Sequence, residues 1–266
     1  MTAFNPGFAK SLSHLASAAY APTPQGVPFG DAQLGHLGNV FQDDDNVIVA
    51  YRGSRVPRGV DTLAELLVAG DDWLGVNFQF AQTKALGGMV HRGFWERSER
   101  TWPDLLAWVR RNLNGRRLWV TGHSMGGALA ILAGQRFAEA GLVPAGVYAF
   151  GAPMVGDEAF RDAYAAPLFC VEHRHDIIPH LPFGGRLLKW LPAPLKRGLS
   201  KVIVSDGYTA VGEIHWITPG GKLVPYSGST MESVLRGGLL MANRGSWVPD
   251  HWVEKHTGFL GRYPDS

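Results

Sequence analysis

The chain has 266 residues, 45% of them hydrophobic and 18% charged, with a formal net charge of +2. That length buries a sizeable core as one large α/β domain or two small ones, and the composition is globular. The weak charge and the lack of a Lys or Arg block exclude a nucleic-acid footprint, and the single cysteine, Cys170, excludes an internal disulfide and leaves little for a structural zinc site.

The first twenty residues, MTAFNPGFAKSLSHLASAAY, lack a basic start and a continuous apolar run, so they read as an amphipathic helix and not a signal peptide. No stretch approaches 18 apolar residues, so no transmembrane segment is expected. The expected location is the cytoplasm, or outside the cell by a route that needs no signal peptide. NVIVAYRG (46–53) reads as a buried strand ending in a Gly turn. TLAELLVAG (62–70) opens with a capping box, Thr62 and Glu65, and carries Leu63, Leu66 and Leu67 on one face. TWPDLLAWVRRNL (101–113) has Leu105, Leu106, Val109 and Leu113 at helical spacing. RRLWVTG (116–122) is a strand, and SMGGALAILAGQRFAEAG (124–141) a helix ended by Gly141. AGVYAFGAP (145–153) and PLFCVEH (167–173) are further strands, the second holding Cys170 as a buried, inert thiol. GGRLLKWLPAPLKRGLSKV (184–202) mixes Leu and Trp with five basic residues, and GEIHWITPGGKLVP (212–225) is a hairpin with a Pro-Gly-Gly turn. STMESVLRGGLLM (229–241) has a second capping box, Ser229 and Glu232.

Strands alternating with helices predict an α/β fold with a mostly parallel sheet. With no repeat and no low-complexity linker, residues 1–266 are expected to form a single domain. Each of the stretches 62–70, 184–202 and 229–241 reads first as a packing element. Together they exceed what a sheet and its helices need, which predicts a lid-like insertion suited to a lipid–water interface.

The chemistry centres on Gly122-His123-Ser124-Met125-Gly126. Alone, G-x-S-x-G is weak. Here Leu118, Trp119 and Val120 supply a strand before it, and a helix without charged side chains up to Gly134 follows. A strand–turn–helix junction presents the serine at the carboxyl edge of the sheet, and the two glycines remove side chains where strand and helix approach. No phosphate-loop or dinucleotide pattern is present. A serine nucleophile needs a base oriented by an acid, in the chain order Ser, acid, His. Asp176, directly after the strand PLFCVEH, ranks first as acid; Asp157 and Glu158 look like helix starters, and Asp206 sits in a Gly-flanked turn. Among the later histidines, His251 in VPDHW ranks first as base and His256 second. His180 lies too close to Asp176, and His215 falls inside a strand. The cluster His173, His175, Asp176, His180 lacks a metal-site spacing, so no metal is expected. The oxyanion hole is expected from the Met125 N–H and from Ser54, just beyond the Gly53 turn.

These segments resemble the class 3 (fungal-type) lipases of the α/β-hydrolase fold: AYRGS, DDWLGVNF, VHRGFWE, VTGHSMGGALA, YAFGAPMVGD, HDIIPHLP, GEIHWI and DHW occur in order over roughly 46–256. The resemblance implies nucleophile Ser124, acid Asp176, base His251, and an oxyanion hole of Ser54 and Met125. It implies an acyl-ester lipid substrate, triacylglycerol first, and no metal or organic cofactor. A phospholipase A1, a monoacyl or feruloyl esterase, or a catalytically dead lipid binder are the alternatives. Three features depart from the family: a long insert after RGS, no possible disulfide, and a long basic 184–202 segment.

Overall fold

Val47, Ile48, Val49, Ala50 and Tyr51 are all buried, the pattern of a strand covered on both faces. The computed structural model describes residues 2–20, 26–31, 35–54, 81–176, 178–182, 207–226 and 248–251. The stretches 62–70, 184–202 and 229–241, together with Asp206 and His256, lie outside the described residues.

The strands and helices, in chain order, are α1 (Pro6–Ala18), β1 (Val27–Asp31), β2 (Gly35–Gln42), β3 (Asn46–Tyr51), β4 (Gln82–Ala85), β5 (Gly88–His91), α2 (Arg92–Asn112) and β6 (Arg117–His123). They continue with α3 (Met125–Glu139), β7 (Gly146–Phe150), α4 (Glu158–Ala163), β8 (Leu168–His173), β9 (Glu213–Ile217), β10 (Leu223–Pro225) and α5 (Val248–His251); a 3₁₀ turn, Ile178–His180, follows β8. Eight strands form one sheet in the order β1-β2-β3-β6-β7-β8-β9-β10. The five from β3 to β9 are parallel, and the edges are antiparallel. The parallel sheet and the hairpin at 212–225 match expectation.

Alternate residues serve the two faces. Val47, Val49, Tyr51, Val120, Val147 and Ala149 pack with α3, whose residues Met125 to Phe137 are all buried. Ile48, Ala50, Trp119, Tyr148 and Phe150 pack with Ala9, Leu12 and Ala16 of α1 on the other face. Asn5 caps α1, its side-chain oxygen accepting from the Phe8 N–H at 2.8 Å, and Pro6 occupies the position where a missing N–H costs nothing. Among the described residues, no helix is long and apolar enough to cross a membrane.

Two sequence expectations need correction. The helix expected over 101–113 begins at Arg92 and keeps Pro103 inside it. The buried Arg136 of α3 explains why: its guanidinium lies over the rings of Trp95 at 4.6 Å and Trp102 at 4.3 Å and donates to Ser98 Oγ at 2.9 Å. These contacts bind the N-terminal half of α2 to α3 and outweigh the one hydrogen bond the proline removes. Cys170 is half-buried, and its Sγ donates to the Val211 carbonyl at 3.5 Å; burial still pushes the thiol up to about 12, so it stays protonated and inert.

The register places Tyr51 beside Gly122, His123 beside Phe150, and Phe150 beside Val171. The turns after β3, β6, β7 and β8 therefore leave the sheet side by side at its carboxyl edge. That is where open parallel sheets gather their ligands.

Candidate active site

Ser124 stands between β6 and α3 with φ 59° and ψ −129°. For a residue with a Cβ this left-handed φ costs about 1–2 kcal/mol. Its N–H donates to the Phe150 carbonyl of β7 at 2.9 Å, and its own carbonyl accepts from the Gly127 N–H at 2.9 Å, so the turn is fixed from both sides. The flanking glycines are required by contact. A Cβ on Gly122 would collide with the Gly126 backbone, and one on Gly126 would collide with the backbone of Tyr51 and Arg52. The first turn of α3 is thus pressed against both β6 and the end of β3.

Asp176 follows β8 through a turn in which Arg174 has φ 49° and the Asp176 N–H donates to the His173 carbonyl at 3.0 Å. Its carboxylate is 1% exposed. One oxygen accepts from the Ile178 N–H at 3.0 Å; the other faces His251 Nδ1 at 2.7 Å. His251 ends α5, and its Nε2 lies 2.9 Å from Ser124 Oγ. An ionised carboxylate only accepts, so Nδ1 carries the proton and Nε2 turns its lone pair to the serine. The acid and base ranked first in the sequence therefore meet the serine in one hydrogen-bonded line. Gly151, at the end of β7 with φ 56°, makes room for it: an added Cβ would sit 3.0 Å from Asp176 Oδ2 and 3.2 Å from His251 Nδ1.

Ser54 is buried at the end of the segment after β3, with its Oγ donating to Met125 Sδ at 3.6 Å. Met125 is the first residue of α3, where a backbone N–H has no acceptor within the helix. The two expected oxyanion donors thus adjoin one another beside Ser124, and the N-terminus of α3 favours negative charge there.

Other histidines contact the segment that carries His251. His173, fully buried, faces the Asp250 carbonyl with Nδ1 at 3.0 Å, and His175 approaches the Asp250 carboxylate at 3.7 Å. His123 faces the His251 carbonyl with Nε2 at 2.6 Å and the Tyr20 hydroxyl with Nδ1 at 2.6 Å. Desolvation by burial holds both His123 and His173 below the ordinary imidazole range. His180 instead turns to Glu172, 3.5 Å away, and desolvation pushes Glu172 up to about 8 and His180 down to about 4. His215 pairs with Glu213 at 2.8 Å and stacks on Phe4. Of the histidines clustered in sequence at 173–180, His173 and His175 thus share Asp250, while His180 turns away to Glu172. Gly151, His123 and Tyr20 were not singled out by the sequence, and His173 was weighed only as a member of a cluster without metal-site spacing. Only His123, adjoining the serine, carried a local signal.

Residues 48–185 match the family model described as lipase (class 3). A lipase of Caenorhabditis elegans is 35% identical over 145 residues, covering 51% of this chain and 39% of that protein. A protein of Fusarium solani, described as a secreted mono- and diacylglycerol lipase, is 32% identical over 162 residues, covering 53% and 47%. The chain thus spans less than half the length of these relatives. The Lip2 lipase structure from Yarrowia lipolytica superposes with a TM-score of 0.66 at 19% identity, covering 93% of this chain and 92% of that one, which shows a shared α/β-hydrolase fold.

Proposed function

The chain belongs to the class 3 lipase family, and on that premise we propose that it is a serine carboxylic ester hydrolase acting on acyl-ester lipids, triacylglycerol first among them. The observation that carries this reading is the line from Asp176 through His251 to a serine held on a strained turn, at 2.7 and 2.9 Å. Ser124 Oγ attacks the ester carbonyl while His251 Nε2 takes its proton. Asp176 holds the imidazole and stabilises its cationic form. The tetrahedral oxyanion forms beside the Met125 N–H and Ser54, each donor contributing about 3 kcal/mol. His251 then returns the proton to the leaving alcohol, the acyl-enzyme forms, and water attacks it with the same base. The sequence requires no metal or organic cofactor.

Ser124 is only 5% exposed, so a fatty acyl chain reaches Oγ after the site opens. This supports action at a lipid–water interface, where an apolar phase offers the opening a partner. The Fusarium relative's name favours mono- and diacylglycerols as a second substrate class.

The test is Ser124→Ala in hydrolysis of a p-nitrophenyl ester, followed by a panel from acetyl to palmitoyl esters with triolein and a phospholipid. Loss of the nucleophile is expected to lower turnover on the order of 10⁶-fold with the fold retained. A variant that keeps about a tenth of wild-type turnover overturns the assignment.

A further inference from the structure

We propose that Tyr20 and His123 are positioning residues that set the catalytic base and the oxyanion turn in common register. The proposal deepens the esterase reading and rests on it. Tyr20 lies just beyond α1, on the face of the sheet opposite α3, far in sequence from every residue assigned a chemical role. Its hydroxyl nevertheless meets His123 Nδ1 at 2.6 Å, and the other nitrogen of that ring meets the His251 carbonyl at 2.6 Å.

The proton positions follow from chemistry. A carbonyl only accepts, so His123 Nε2 carries the hydrogen and donates it to His251. A neutral imidazole then has a bare Nδ1, which accepts the Tyr20 hydroxyl proton. The neutral state is enforced by position: the ring is 4% exposed, and its centroid lies 4.8 Å from that of His251. A cation there would be poorly solvated and would repel the imidazolium that forms during acylation. Tyr20, donating to Nδ1, thus acts with the His251 carbonyl to select the one tautomer of His123 that holds the backbone of the base.

The same hydroxyl occupies the space beside Gly53. A Cβ on Gly53 would collide with the Tyr20 hydroxyl and lie 2.6 Å from the His123 carbonyl. Gly53 precedes Ser54, so the phenol packs against the turn that presents the proposed oxyanion donor. One side chain therefore touches the oxyanion turn and the residue before the nucleophile, and through His123 it reaches the backbone of the base. A distance error between donor and base is the kind of fault that lowers turnover without weakening substrate capture.

The experiment compares Tyr20→Phe, His123→Gln, His123→Asn and His123→Leu with wild type, in the full-length chain, on a soluble p-nitrophenyl ester. Imidazole ¹⁵N NMR runs in parallel. Tyr20→Phe is expected to lower kcat by about 5- to 10-fold, the worth of one hydrogen bond, with KM within about twofold. The ¹⁵N shifts of His123 are expected to report the Nε2–H tautomer in wild type and a mixture in Tyr20→Phe. A glutamine amide nitrogen reaches the ε position and an asparagine amide only the δ position. His123→Gln is therefore expected to keep more of kcat than His123→Asn or His123→Leu. A wild-type kcat and an unchanged tautomer in Tyr20→Phe overturn the proposal, and so does a His123→Gln no better than His123→Leu. If Ser124→Ala still hydrolyses the ester, or wild type hydrolyses none, the esterase reading falls instead; the NMR tautomers then decide the hydrogen-bond relay by themselves.

Discussion

Gly151→Ala tests whether the triad tolerates any displacement. The new methyl group would stand 3.0 Å from Asp176 Oδ2, 3.2 Å from His251 Nδ1 and 3.3 Å from its Cε1, at a backbone φ of 56°. The left-handed φ alone costs about 1–2 kcal/mol for a residue with a Cβ. The backbone has little freedom to relieve the contacts, because the Gly151 N–H donates to the Val171 carbonyl at 3.0 Å and the neighbouring Phe150 carbonyl holds the Ser124 N–H. The strain passes to the carboxylate and the ring, which must retreat by a few tenths of an ångström. A displacement of about 1 Å costs on the order of 100-fold in rate, so kcat is expected to fall by roughly 10-fold with KM little changed. The melting temperature is expected to fall by about 2–8 °C. Initial-rate kinetics on a soluble short-chain ester and a thermal scan of the same preparation measure both. A lowered melting temperature with a wild-type kcat refutes the reasoning, because it means that the backbone absorbed the strain and left the triad in place.

Three further expectations follow from the site and its surroundings. Ser54→Ala is expected to lower kcat by roughly 10- to 1000-fold with a smaller change in KM, read from steady-state kinetics; a pure KM effect assigns Ser54 to pocket shape. Glu172 is held neutral by burial, its carboxyl raised from 4.5 to about 8. Between those values the unfolded chain binds fewer protons than the fold, so the stability this carboxyl contributes at low pH is lost as pH rises. Against Glu172→Gln, wild type is expected to lose stability by up to about 1.4 kcal/mol per pH unit across that window, with a constant gap above it; urea melts at several pH values measure this, and a gap independent of pH refutes the neutral carboxyl. Turnover of a short-chain triglyceride is expected to jump as concentration passes the solubility limit and droplets appear; smooth saturation below that limit makes this an open-site esterase.

The parallel core was legible because β3, β6, β7 and β8 each carry a run of three or more apolar residues and α3 has no polar side chain through its first turns. Asp176 and His251 were legible as candidates because chain order and strand ends narrowed the choice, and His251 does stand in contact with both Asp176 and Ser124. Other features depended on distant partners. Thr101-Trp102-Pro103 reads as a helix start because proline is favoured in a first turn, while the true start at Arg92 relies on an arginine 44 positions further along. β1 and β2 carry Pro28, Gly30, Gly35 and Gly38, which mask their strand character; Gly38 is needed where a Cβ would collide with the Ala50 carbonyl. The need for glycine at 151 and the reach of Tyr20 are visible only in three dimensions, since each is defined by atoms far away in the chain.

Ser124 and His251 are separated by 127 residues. At usual rates of synthesis His251 emerges about 6–25 s after Ser124. Once β7 is made, the Phe150 carbonyl is available to hold the Ser124 N–H, yet on the proposed mechanism the hydroxyl still lacks its base and is no better a nucleophile than any other serine. On the proposed mechanism the order of the segments acts as a safety catch: a chain lacking α5 holds the serine without the imidazole, and the hydroxyl gains its proposed base only when Val248–His251 docks.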